Sequence, residues 1–189
     1  MTIQHNSITG TDLHEPKGVA AAAANKVYVA NGSASGAWST LTTSTMALPK
    51  GKFWFYNISS AYNLTYGAAT QKVAPTTIAS GLGSLVTEAT SARLTYTGAL
   101  TTVVKLDFDV SLGQSTGSNK DLTIAIHKNG AVIAGSEQFI STTSSEIHVA
   151  TGSTIVTAAT NDYFEIYAFN TDGAGTMNFH KVGLTLTAT

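Results

Sequence analysis

Apolar and polar residues alternate with a period of two along most of the chain after Ala92, and no segment sustains a helical period. Leu106, Phe108 and Val110 fall on one side of residues 103–110, while Lys105, Asp107 and Asp109 fall on the other, as in a half-buried strand. Leu122, Ile124 and Ile126 repeat the pattern, and Asn129-Gly130 follows. That pair accepts the positive φ angles of a type I′ turn, so residues 123–133 are predicted to form a β-hairpin. Strands are predicted at 93–97, 102–112, 122–128, 131–140, 146–151, 154–158, 163–169 and 177–186. Turn signals separate them at Gly98, at 114–119, at Asn129-Gly130, at Gly152-Ser153, at Asn161-Asp162 and at Asp172-Gly173. Strands at this spacing predict an all-β fold, a jelly roll or related β-sandwich. The absence of a fixed sequence period argues against a propeller or a β-helix.

The aromatic run Phe53-Trp54-Phe55-Tyr56-Asn57-Ile58 is predicted to open the sandwich, with aromatics on both faces. One face enters the core; the other needs cover from the arm or from a neighbouring subunit. Residues 67–89, rich in Ala, Thr, Ser and Gly, read as a long surface connection with at most one short strand. Residues 1–50 differ in texture and read as an extended N-terminal arm, leaving 51–189 as the jelly-roll domain. Residues 5–18 are polar and irregular, Ala20 to Ala24 are too small to hold a helix alone, and 27–30 read as a short strand before a turn cluster at 31–36. Ile3, Ile8, Leu13, Val19, Val27 and Tyr28 are spaced so as to pin such an arm along another protein, and they are the candidate attachment residues.

Composition narrows the functional classes. Charged residues make up 11% of the chain, against about 25% in an average soluble protein. Ser, Thr, Asn and Gly must supply the polar surface. With a net charge of −1 the chain has no basic field to hold a phosphate backbone, so nucleic acid is not a predicted partner. There is no cysteine for a disulfide, a thiolate metal site or a nucleophile. The opening residues lack the basic and apolar regions of a secretory signal, and no apolar run reaches the length of a membrane span. Classical secretion and membrane insertion are therefore not expected. The N-x-[ST] sequons at Asn31, Asn57 and Asn63 are chance matches in a Ser/Thr-rich chain.

Candidate chemistry is sparse. Gly113-Gln114-Ser115-Thr116-Gly117 matches the nucleophile-elbow pattern, but the continuation reads as a strand where the elbow needs a helix. His5, His14, His127, His148 and His180 show no spacing that fixes two imidazoles on one metal; His180, in the last predicted strand, is the candidate that an oligomer could bring together with its own copies. Asp107 and Asp109 share a strand face in the manner of a glycosidase pair, with Lys105 beside them as a compensating charge. Asp162 and Asp172 on turns suit calcium, and suit turn chemistry equally. No phosphate-binding glycine loop is present. The expectation is a non-enzyme with no catalytic residue, metal or cofactor.

Two sets of motifs resemble a known family. Arg93-Leu94-Thr95-Tyr96-Thr97-Gly98, then Ile126-His127-Lys128-Asn129-Gly130 and Asp162-Tyr163-Phe164-Glu165-Ile166-Tyr167, resemble the trimeric jelly roll of the tumour-necrosis-factor and C1q type, in particular its version in tailed-phage virion proteins. Residues 179–186, with Gly183 inside, sit where that family places its trimer-facing last strand. Residues 5–10 and 12–18 are similar to the attachment segments of phage surface proteins. The resemblance implies a homotrimer on a phage particle, a capsid decoration (cement) or head-fibre protein bound by its arm to the major capsid protein or another virion protein. Its location would be the capsid surface, after synthesis in the host cytoplasm. A tail-fibre component or a receptor- or glycan-binding module is the alternative, disfavoured for tail fibres by the lack of a long repetitive shaft.

Overall fold

Strands make up nearly all the regular structure of this chain in the computed structural model, which describes residues 26–30, 36–40, 47–57, 59–66, 69–81, 83–89, 91–114, 119–143, 146–170 and 175–189. The chain divides into two units, residues 1–46 and 47–189. In the first, β1 (Lys26–Ala30) and β2 (Gly36–Thr40) pair antiparallel, with Val27 opposite Ser39 and Tyr28 opposite Trp38. The strand expected at 27–30 is thus present, but as half of a hairpin. The second strand is an addition to the expected arm. Ile3, Ile8, Leu13 and Val19 lie outside the described residues, as does the turn cluster up to residue 35.

In the second unit the strands are β3 (Lys50–Tyr56), β4 (Tyr62–Tyr66), β5 (Gln71–Lys72), β6 (Ala79–Ser80), β7 (Val86–Ala89), β8 (Arg93–Tyr96), β9 (Thr102–Gln114), β10 (Lys120–Lys128), β11 (Ala131–Val132), β12 (Gln138–Thr142), β13 (Ile147–Ala158), β14 (Tyr163–Asn170) and β15 (Gly175–Ala188). One sheet has the order β13-β9-β15-β3-β6, with β4 also on β15; the other has β11-β10-β14-β8-β7, with β12 also on β10 and β5 on β14. All pairings among the described residues are antiparallel. The longer connections cross between sheets: β3, β9, β13 and β15 lie in one, and β8, β10, β12 and β14 in the other. The first of these strands pairs with the last, and the second pairs with the last but one. This is the double Greek key of a jelly roll.

Alternation places the core as expected. Leu106, Phe108 and Val110 of β9, Leu122, Ile124 and Ile126 of β10, and Phe164 and Ile166 of β14 are buried between the sheets with Phe53, Phe55, Phe179 and Leu184. In β3, Trp54 and Tyr56 point away from that core. Lys52 covers the Trp54 ring at 5.5 Å, and Tyr56 is 63% exposed. The Asn129-Gly130 turn forms as predicted, with φ of 53° and 83° and Lys128 opposite Ala131.

Three expectations need correction. Gly152-Ser153 is no turn: β13 runs unbroken past it, with Gly152 paired to Phe108. A Cβ at Gly152 would collide with the Phe108 ring, so the glycine is there for close approach across the ladder. The segment 131–140 is not one strand. It breaks at Gly135, whose φ is 84°, and Ser136 turns inward to donate its hydroxyl to the Ile126 carbonyl and accept from the Ile126 N–H. Finally, residues 67–89 carry β5, β6 and β7: β5 and β6 are held by distant partners in β14 and β3, and β7 by its neighbour β8. Such two-to-four-residue strands have too few positions for alternation to show.

Candidate assembly surface

The outward face of the sheet containing β13, β9 and β15 is built from the positions that alternate with the core. On β9 these are Val103, Lys105, Asp107, Asp109 and Ser111; in register beside them on β13 stand Thr157, Ile155, Ser153, Thr151 and Val149. Among the described residues β13 pairs with β9 alone, so its other edge presents unused backbone donors and acceptors. Along this edge Ile147, Val149 and Ile155 are 58%, 67% and 64% exposed. Strand-edge β-branched residues left open to water in a row mark an incomplete surface.

The middle of the face is polar and balanced. Lys105 Nζ lies 2.7 Å from Asp107 Oδ1, and Lys181 Nζ lies 2.6 Å from Asp109 Oδ1. Gly183 faces Asp109 in register, and a Cβ there would come within 2.9 Å of Asp109 Oδ2. The glycine makes room for the carboxylate to lie across β15. Each aspartate thus has its own lysine, the bland role foreseen for Lys105 extended by Lys181. Further along β15 the ladder to β9 shifts register between Phe179 and Lys181, leaving His180 as the extra residue. His180 Nδ1 and Asn178 Oδ1 are both shielded from solvent without a hydrogen-bond partner.

The other sequence candidates are dispersed. His127 Nδ1 meets the Gly130 carbonyl at 3.0 Å, and His148 Nε2 accepts the Thr143 N–H at 3.1 Å. Ser115 lies outside the described residues, between β9 and β10, a strand on either side. Asp172 lies outside them too. Asp162 is engaged by Lys128, Asn129 and the Ala159 N–H, each at 2.7 Å. Burial works to raise its carboxyl, and these three partners outweigh it and hold it below the usual range. Among the described residues no group of three His, Cys, Asp or Glu is arranged to hold a metal, and no helix is long and apolar enough to cross a membrane. Val27 and Tyr28 sit in the β1–β2 hairpin, in the other unit of the chain.

Sequence reasoning missed a charged cluster on the opposite sheet. Glu165 of β14 is 1% exposed, yet it occupies an outward position; Lys72 Nζ reaches it at 2.5 Å, Arg93 Nε at 2.7 Å, and Tyr167 donates its hydroxyl at 3.2 Å. Arg93 also lies 3.9 Å over the Tyr163 ring. Burial pushes the Glu165 carboxyl up, but the hydrogen bonds and charges of Lys72 and Arg93 prevail and hold it below the usual range. Burial, and then the Glu165 charge, push the Tyr167 hydroxyl up. The only sequence signal was a glutamate amid the apolar residues of 163–169, and its partners lie 93 and 72 residues away.

No protein-family model matches the chain, and no curated protein matches it. Among solved structures it is similar to the Eiger TNF of S. frugiperda (12% identity, 75% of this chain and 93% of that one, TM-score 0.49). It is also similar to the PRD1 vertex protein P5 (9% identity, 74% and 96%, TM-score 0.48). The globular domain of zebrafish complement 1qA is a third (16% identity, 75% and 96%, TM-score 0.45).

Proposed function

We propose that this chain is a homotrimeric virion surface protein, of the capsid decoration or head-fibre type. The observation that carries the self-association is the outward face of the β13-β9-β15 sheet. It joins an open strand edge bearing Ile147, Val149 and Ile155 to a charge-balanced centre of Lys105, Asp107, Asp109 and Lys181. Equal numbers of opposite charges let this surface meet a copy of itself without net repulsion. The virion role draws its support from the low charge of the chain and from the likeness of residues 5–18 to phage attachment segments. Residues 1–46, a separate unit, are the proposed link to the major capsid protein or another virion protein. Three such links on one particle add avidity, so each contact is individually weak.

Light scattering tests the assembly: a mass three times the 19.6 kDa chain is expected. A stable monomer at micromolar concentration overturns it. For attachment, the chain without residues 1–46 is expected to remain trimeric and to fail to bind capsids that lack this protein. Near-normal binding by the truncated chain would move the contact to the jelly roll.

A further inference from the structure

A cavity of about 220 Å³ opens on the outward face of the sheet containing β10 and β14, away from the assembly surface. Its origin is a small residue in a row of large ones. Ala125 pairs with Tyr167 across the β10–β14 ladder, and its outward neighbours along β10 are Thr123 and His127. Aromatic side chains rise around it: Tyr167 and His127 stack with centroids 4.0 Å apart and planes 19° from parallel, and Phe169 stands beyond Thr123. Both rings of this stacked pair line the cavity. Thr70, Thr123, Val132 and Glu137 complete the lining. Glu137 is held in place by the Gly135 N–H, at 2.7 Å from Oε2, and the His127 ring by the Gly130 carbonyl.

We propose that this cavity binds one ring of a neutral sugar, as a terminal residue of a surface glycan. Sugars present an apolar C–H face and a rim of hydroxyls, and the cavity presents a mostly apolar, aromatic-rich surface with two threonines and a glutamate among its lining residues. Its size is below the roughly 300–1,000 Å³ of sites for drug-sized ligands, which limits the occupant to about one ring. The lining has no cation to select an anionic sugar: Lys72 and Arg93 are committed to Glu165 nearby. The site is independent of the virion reading, since it depends on neither trimer contacts nor residues 1–46.

The test is saturation-transfer NMR on the full chain with methyl glucoside, methyl galactoside and N-acetylglucosamine as probes and choline as the cationic comparison. Transfer to the ring C–H protons of at least one sugar is expected, with affinity of about 1 mM or weaker for so small a ligand. Ala125→Leu fills the hollow from the outward side and is expected to weaken that binding about tenfold or more while the melting temperature is retained. Thr123→Ala provides a second variant, which trims the lining without filling the hollow, with a smaller loss expected. No transfer to any sugar overturns the proposal, as does transfer unchanged in both variants. Transfer to choline alone also overturns it, making the cavity a cation cage.

Discussion

Gly152 of β13 lies opposite Phe108 of β9, and the space its side chain lacks is the space the Phe108 ring fills. The contact lets the edge strand β13 close onto the sheet while it carries its branched residues outward. Phe108 is 2% exposed, so its ring has no route of escape into solvent. Gly152→Ala is expected to destabilise the sandwich by about 1–3 kcal/mol, the usual cost of overpacking a filled core. Denaturant unfolding measures it, and a change within a few tenths of a kcal/mol would mean the ring has room to shift.

The β10–β11 hairpin depends on a backbone conformation. Gly130 has φ of 83°, and Tyr163 Oη lies only 3.7 Å from where its Cβ would stand. Gly130→Val is expected to cost about 1–2 kcal/mol, because a β-branched residue resists positive φ. Gly130→Asn is expected to cost less, since asparagine tolerates that region. Thermal melting of the two variants distinguishes conformational strain from lost contacts.

Acid should weaken the fold through Glu165. Its carboxyl is held below its ordinary value of 4.5 by Lys72 and Arg93, so its contribution is complete above that value and is lost as pH falls through the lowered one. Asp162, lowered from 3.8, adds a contribution that is complete above that value and is lost as pH falls through its own lowered one. The melting temperature is expected to be flat from neutral pH to about 5 and to fall below it. Glu165→Gln is expected to be less stable at neutral pH, with a shallower decline on acidification. An equal slope in both proteins would assign the acid sensitivity elsewhere.

The open edge gives a direct test of assembly. Val149→Lys together with Ile155→Lys places charge on exposed positions of β13 outside the core cluster, so the monomer fold is expected to survive. Light scattering is expected to show loss of the proposed trimer, with circular dichroism unchanged. A trimer of full stability in this double variant would place the interface on another face.

Local chemistry made much of this protein legible from sequence. The alternation of 103–110 and 122–126 assigned core and surface because side-chain direction in a strand depends only on position parity. Asn129-Gly130 announced its turn because the φ preference belongs to the two residues themselves. What the sequence could not decide was set by partners far along the chain. Gly152 looked like a turn glycine, and only the Phe108 ring opposite shows that it serves close packing. Gln71, Lys72, Ala79 and Ser80 become strands because β14 and β3 pass beside them. Glu165 carries its charge in a buried place only because Lys72 and Arg93 converge on it, and Ala125 makes a cavity only because its neighbours are large. Periodicity determines which face a residue takes; what it meets on that face is decided by long-range strand pairing, which no local pattern encodes.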